Sequence, residues 1–462
     1  MSVQQTITPV DGSVYVERPY AAASKIDAVF DAAVKAQKSW ALTTVEQRAA
    51  ICHRFCDALL THTDEIALEI SWSMGRPISQ TPGEVRSCAE RARFMIDEAP
   101  AGLATYDPGP KQGFKRYIKR TPLGVVFVIA PWNYPLLTTV NSVIPGIMAG
   151  NAVVLKHAPQ TQLCAERFAQ AFAEAGLPEG VFQYLHLTNS DAEALVKDSR
   201  VNHVNFTGSV ATGHLVQRAA ADRFISVGLE LGGKDPGYVR ADADVKFAAE
   251  TLLDGAFFNS GQCCCGIERI YAHESVYEDF LEHAVAFTNS YRLGNPLQQD
   301  TNLGPVVTAK AAANIRGQME EAISQGARAL IAPQIFPADD RSTAYLAPQI
   351  LVDVDHSMRF MTEETFGPTV GIMKVKDDEE AIRMMNDSHY GLTAAIFTRD
   401  AAAAEAIGDR VETGTVFLNR CDALDPALPW VGVKDTGRGY TLSRWGYETL
   451  TRPKSYHLRL PV

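Results

Sequence analysis

Residues 124–135 read Gly-Val-Val-Phe-Val-Ile-Ala-Pro-Trp-Asn-Tyr-Pro. The run Gly124–Ala130 is continuously apolar, the pattern of a strand buried on both faces. Outward from it the pattern changes period and then repeats. Val143–Gly150 has helical spacing and Ala152–Lys156 reads as a strand. Ala165–Ala175 reads as a helix ended by Gly176, Val204–Phe206 as a short strand, and Thr212–Ala221 as a helix. Strands alternating with helices predict a mostly parallel sheet with helices on both faces. A similar alternation runs from Phe247 to Asn419. The expectation is α/β: two α/β domains facing one another. Upstream, Ile26–Leu42 and Arg48–Leu60 have helical apolar spacing, and Pro100–Gly113 reads as a loop or boundary. Phe114–Arg120 alternates apolar and basic residues, as a half-exposed strand does.

The chain has 462 residues, enough for two or three domain-sized units. Its formal net charge of −11 argues against a general nucleic-acid or anionic-membrane binder, because such surfaces need clustered Lys and Arg. Residues 1–20 do not resemble a signal peptide, and no apolar run is long and uninterrupted enough to span a bilayer. These features predict a cytoplasmic protein with no membrane and no nucleic-acid partner. Of the eight cysteines, Cys263, Cys264 and Cys265 are consecutive, which ordinary disulfide geometry does not pair. No pair of CxxC motifs exists, so no metal site is expected.

Four segments carry candidate chemistry. Phe258–Cys265 places three thiols after Gly261, and a thiol reacts as thiolate. The plainer reading is an inert buried cluster. In Gly228–Lys234, Glu230 stands alone between apolar residues and a glycine pair. Desolvation there would raise its pKa toward that of a general base, although an exposed Glu at a strand end reads the same way. Asn133, directly after the buried strand, could donate to an oxyanion or simply close an Asx turn. Phe206–Gly213 is a strand–turn–helix junction whose backbone amides could hold a pyrophosphate, but the spacing is not GxGxxG.

Together the four resemble the aldehyde dehydrogenase superfamily, in its non-acylating, NAD(P)-dependent form. The resemblance covers nearly the whole chain and includes Asn151–Lys156, Glu363–Pro368, Tyr390–Ala394 and Gly432–Gly437. It implies Cys264 as nucleophile in the Gly-Gln-x-Cys pattern, and Glu230 as activator of the deacylating water. Asn133 and the Cys264 backbone N–H would form the oxyanion hole. Lys156 would reach the adenosine ribose, and Gly208, Ser209 and Gly213 would lie at the pyrophosphate. Glu364 and Phe366 would hold the nicotinamide end, with Trp132 and Leu231 also on the cofactor side. Cys263 and Cys265 would flank the nucleophile in the substrate pocket. Implied too is a Rossmann-like dinucleotide-binding domain over 1–106 and 122–231, and a catalytic domain over 232–432. A bridging and oligomerisation element would occupy 107–121 and 433–462, in a homodimer or homotetramer.

Two departures qualify these expectations. Many NAD-preferring relatives carry Glu three residues after the lysine matching Lys156, where this chain has Pro159. Without that carboxylate a 2′-phosphate is not repelled, so the cofactor is expected to be NAD or NADP. Thr138 and Asn141 stand where broad-specificity relatives place bulky apolar residues. Arg420, Asp422 and Trp430 fall in the loop that approaches the pocket mouth. With Tyr134 and Trp430 as aromatic walls, the expected substrate is a short aldehyde with a polar or anionic end, Arg420 being the candidate cation. The competing expectations are a CoA-acylating enzyme, a thioester-forming hydrolase without redox, and a non-catalytic structural protein. Glu230 argues against the first, Glu364 and Phe366 against the second, and joint retention of Cys264, Glu230, Asn133 and Lys156 against the third.

Overall fold

The computed structural model describes residues 2–421 and 423–461. The apolar run forms the strand Val125–Ile129, buried along its whole length. It pairs in parallel with Ala152–Lys156 on one side and Val201–Thr207 on the other. Ser226–Glu230 extends the sheet beyond Val201–Thr207, and Phe182–Tyr184 extends it beyond Ala152–Lys156. Gly437–Arg438, from the far end of the chain, closes one edge antiparallel to Ser226–Glu230.

Successive strand side chains point to opposite faces, which explains why the run is apolar throughout. Val126, Val128, Val153 and Leu155 pack into one core with the helices Val45–Thr61, Thr81–Gly102, Leu137–Met148 and Gln162–Glu174. Val125, Phe127, Ile129 and Val154 pack into another with Ala23–Trp40, Asn189–Lys197 and Val210–Ala219. The chain winds outward on one side of Val125–Ile129 and then returns to the other. Such a reversal opens a crevice at the carboxyl ends of the two central strands, where α/β sheets bind ligands.

A second, seven-stranded sheet is built around Asp235–Val239, Ile267–His273, Thr369–Val375 and Thr393–Phe397, which pair in parallel. Two α/β layers are therefore present, as the alternating pattern predicts. Phe114–Pro122 pairs antiparallel with Thr451–Arg459 along its full length, with Tyr117 and Tyr456 stacked 4.5 Å apart. This two-stranded ribbon stands apart from both sheets.

Two proline-containing segments differ from their sequence pattern. The helix expected over Val143–Gly150 spans Leu137–Met148 and passes through Pro145. The helix Thr81–Gly102 runs through Pro100 into the segment that reads as loop. Both are held by packing: ten of the twelve residues of Leu137–Met148 are buried, and Met95, Ile96 and Ala99 line the same core. Tertiary burial overrides the local cost of proline there. No helix among the described residues is long and apolar enough to cross a membrane.

Candidate active site

The helix Val245–Phe257 ends six residues before Cys263. Asn259, Ser260 and Gly261 then follow with φ of 53°, 56° and 70°. Three consecutive left-handed residues are costly for L-amino acids, so the surroundings must hold them. The Asn259 side-chain amide donates to the Asn133 carbonyl at 3.0 Å and to the Gln262 carbonyl at 3.3 Å. Ser260 Oγ donates to the Gly304 carbonyl at 2.8 Å, and the Val307 N–H donates to Gln262 Oε1 at 2.6 Å. Gly261 and Gly233 permit the approach: a Cβ at Gly261 would lie 2.1 Å from the Gly367 carbonyl oxygen, and one at Gly233 the same distance from that of Cys264.

This turn carries Cys264 to the seam between the two sheets, where it lines two cavities. One, of about 280 Å³, is walled by Trp132, Asn133, Gly208, Ser209, Leu231, Glu364 and Phe366 among others. The other, of about 210 Å³, is walled by Tyr134, Thr138, Asn141, Glu230, Cys263, Cys265 and Trp430 together with Arg76 and Arg91. A third, of about 470 Å³, continues the first outward and contains Lys156, Pro159 and Glu193. Trp132, Thr207, Gly208 and Ser209 are common to the first and third.

The three sulfurs form one cluster, with Cys263 and Cys265 buried, 3.4 Å apart, and Cys264 half-buried. Hydrogen bonds from Cys264 and Cys265 hold the Cys263 thiol well below its ordinary range, and the same contacts push Cys264 and Cys265 up. Cys264 is the member that borders both the cavity of about 280 Å³ and that of about 210 Å³. Asn133 is buried, and its side-chain amide donates to the Gln262 carbonyl at 3.3 Å, which fixes it beside the cysteine turn. Burial raises the Glu230 carboxyl above its usual value, while hydrogen bonds from Thr441 at 2.6 Å and Thr207 at 3.2 Å act in the opposite direction.

On the larger side, Lys156 is pushed down to about 8 by burial, and among the described residues it has no carboxylate within ion-pair distance. Such an ammonium suits an anionic or hydroxyl-rich ligand. Glu364 is raised to about 8, chiefly by burial and then by Glu268, and accepts from the Gly233 N–H at 3.0 Å. Glu268 is buried, paired with Lys234, and accepts from the Thr365 and Phe366 backbone N–H groups. That contact holds Phe366 at φ 55° with its ring edge-on to Trp132, 5.6 Å between centroids. The connected cavities, the free ammonium and the glycine-lined turn at Gly208 fit an extended dinucleotide.

Gly213 lies outside these cavities. A Cβ there would sit 2.6 Å from Leu231, so the glycine lets its helix pack on Leu231. Thr138 lines the substrate-side cavity, but its hydroxyl donates to the Tyr134 carbonyl at 2.7 Å and so is spent on its own helix. Arg420 is exposed and lines none of these cavities; Asp422 lies outside the described residues. The cations at the pocket are Arg76 and Arg91. Sequence reading missed both, along with Thr207, Thr441 and Glu268. The one available signal was the Gly-Arg-Pro at 75–77, where an arginine sits in a turn between two apolar helices.

The sequence model of the aldehyde dehydrogenase family matches residues 2–456. The chain is 34% identical to succinate semialdehyde dehydrogenase [NAD(P)+] Sad of Escherichia coli strain K12, over 96% of this chain and 95% of that one. It is 32% identical to succinate-semialdehyde dehydrogenase [NADP(+)] of Deinococcus radiodurans, over 97% of this chain and 93% of that one. The fold is similar to the crystal structure of succinic semialdehyde dehydrogenase from Streptococcus pyogenes in complex with NADP+. The TM-score is 0.93 at 28% identity, over 99% of this chain and 100% of that one.

Proposed function

The chain belongs to the aldehyde dehydrogenase family, NAD(P)-dependent oxidoreductases of aldehydes, and from that premise we propose that it oxidises a short aldehyde with a polar or anionic end through Cys264, Glu230 and Asn133. The observation that carries the reading is the position of Cys264. It lies between a cavity holding Glu230 and a cavity holding Trp132, Glu364 and Phe366. The names of the relatives support a semialdehyde as the substrate.

The Cys264 thiolate adds to the aldehyde carbonyl, forming a C–S bond and a tetrahedral oxyanion. The second N–H of the Asn133 amide and the Cys264 backbone N–H donate to that oxygen. A dinucleotide, when bound, supplies the hydride acceptor that leaves a thioester on Cys264. Glu230 takes a proton from a water, the water oxygen attacks the thioester carbon, and the Cys264 thiolate leaves as the acid forms. Lys156 would face the adenosine ribose, Ser209 and Gly208 the pyrophosphate, and Glu364 the nicotinamide ribose. Residues 1–106 and 122–231 would then act as the dinucleotide-binding domain and 232–432 as the catalytic domain.

An assay following reduced nicotinamide with an aldehyde panel, with and without CoA, tests this reading directly. Cys264→Ala is expected to lose at least about 10³-fold in kcat while retaining dinucleotide affinity, and Cys263→Ala to keep turnover. Loss in Cys263→Ala with turnover kept in Cys264→Ala would move the nucleophile by one residue.

Glu230 works only when ionised, so the rate should fall as pH drops through its raised pKa, an acid limb above the usual carboxylate range. Thr441 donates to the ionised form; removing that donor raises the pKa further. Thr441→Val is therefore expected to move the acid limb of kcat to higher pH. A limb that stays put or moves down refutes Glu230 as the base.

Around Lys156, the one carboxylate in the cavity is Glu193, already paired with Lys197 at 2.8 Å. A 2′-phosphate is therefore tolerated, and both NAD and NADP should serve. Pro159→Glu is expected to raise KM for NADP about tenfold relative to NAD, since it sets a like charge against the phosphate. The Lys156 ammonium is charged below about pH 8, so KM for NADP in the native enzyme should rise more steeply than KM for NAD between pH 7 and pH 9. Strict NAD dependence would overturn the Pro159 argument.

The ribbon of Phe114–Pro122 and Thr451–Arg459 would join subunits, because it leaves strand edges free to pair with another chain. A dimer or dimer of dimers is expected by light scattering at micromolar concentration; a monomeric mass would exclude it.

A further inference from the structure

Arg76 and Arg91 both line the cavity beside Cys264, and their surroundings differ. Arg76 is buried and neutralised. Its guanidinium pairs with the fully buried Glu84 at 2.5 Å and lies 4.7 Å from the Tyr134 ring and 5.2 Å from that of Phe258. Glu84 is itself saturated, since it also accepts from the Leu136 and Leu137 N–H groups.

Arg91 comes from the helix Thr81–Gly102. Its Nη1 donates to the Leu137 carbonyl at 2.8 Å and to Asn141 Oδ1 at 3.0 Å. Among the described residues no carboxylate lies within ion-pair distance of it, and Nε and Nη2 have no protein partner. A guanidinium always carries its charge, and a desolvated one is costly when the nearest carboxylates, Glu230 and Glu84, act on it only through space and not as ion-pair partners. Two of its donors point one way in fixed geometry, the fork that matches a carboxylate.

We propose that Arg91, steered by Asn141, is the specificity-determining residue of this pocket and binds the distal carboxylate of a short semialdehyde. The inference rests on the aldehyde-oxidising reading of Cys264. The walls between the two ends are apolar and aromatic, with Tyr134, Leu137, Phe258 and Trp430 facing a carbon chain. Arg91 and Asn141 line the same cavity as Cys264, so an anion seated on the guanidinium and a carbonyl at the sulfur would share one small chamber. A cavity of about 210 Å³ suits a short aldehyde. A single cation without a direct ion pair, with Glu230 and Glu84 nearby, suits a carboxylate better than a phosphate dianion, because the charge of Arg76 is already taken by Glu84. Asn141 accepts from Arg91 and so fixes the plane of the fork; it is a positioning residue.

Steady-state kinetics on Arg91→Gln and Arg91→Lys, with succinic semialdehyde, butanal and glyceraldehyde 3-phosphate, decide the matter, with succinate as a dead-end inhibitor. Arg91→Gln should raise KM for succinic semialdehyde about 10- to 100-fold with a much smaller change in kcat, the loss expected for a hydrogen-bonded charge. The succinate inhibition constant should rise in parallel, and the kcat/KM ratio of semialdehyde to butanal should fall by a similar factor. Arg91→Lys should recover part of the ratio. An equal loss on both aldehydes, or an unchanged ratio, overturns the proposal, as does a native preference for the phosphorylated aldehyde. If Arg91→Gln does not fold, Arg91→Lys decides alone: its ratio must fall and its succinate inhibition weaken. A native enzyme that oxidises butanal and ignores succinic semialdehyde refutes the anionic-substrate reading. One that oxidises no aldehyde refutes the reading of Cys264.

Discussion

The left-handed turn at Asn259–Gly261 is the constraint on which the site depends. A helix ending at Phe257 would otherwise carry the cysteines away from the seam between the sheets. Reversing the chain in three residues requires positive φ at two non-glycine positions, at about 1–3 kcal/mol each. The bonds that stabilise the turn come from distant segments: the Asn133 carbonyl at the end of the central strand, the Gly304 carbonyl, and the Val307 N–H. The turn therefore exists only when both sheets are in place. Cys264 and Asn133 are fixed by the same contacts, so the relation between them is set by the fold and not by a flexible loop.

A second lock acts on the opposite wall. Lys234 and Glu268 are buried as a pair, and Glu268 also caps the backbone at Thr365 and Phe366. Removing either charge would leave the other buried without compensation, at about 3–5 kcal/mol. The pair ties the glycine stretch after Glu230 to the loop bearing Glu364 and Phe366. Glu268 also helps to keep the Glu364 carboxyl up at about 8. Electrostatic strain is thus concentrated where a ligand would enter.

The two arginines of the smaller cavity show how burial separates structure from recognition. Both are cationic: Arg76 comes from the turn between the helices Thr63–Met74 and Thr81–Gly102, and Arg91 from the second of these helices. Arg76 meets a carboxylate and two aromatic rings and so belongs to the framework. Arg91 meets a carbonyl and an amide oxygen and has no direct ion-pair partner among the described residues.

The sequence by itself determined the α/β layering and pointed to candidate residues for the chemistry. The run Gly124–Ala130 is apolar at every position because both its faces are covered, a local pattern with a single structural reading. Cys264, Glu230 and Asn133 stand beside glycines and strand ends, where short-range cues survive. What the tertiary structure decided depends on segments far apart in the chain. Arg91 is 173 positions before Cys264 by residue number and reads as one more charged residue on an amphipathic helix. Thr441 is 211 positions from the Glu230 it bonds. Gly213 clears space for Leu231, 18 positions further along the chain. The helix through Pro145 survives because nearly all of it is buried. Periodicity reports which face of an element is apolar, but the partner of a charge and the occupant of a gap are fixed only when the sheets close on one another.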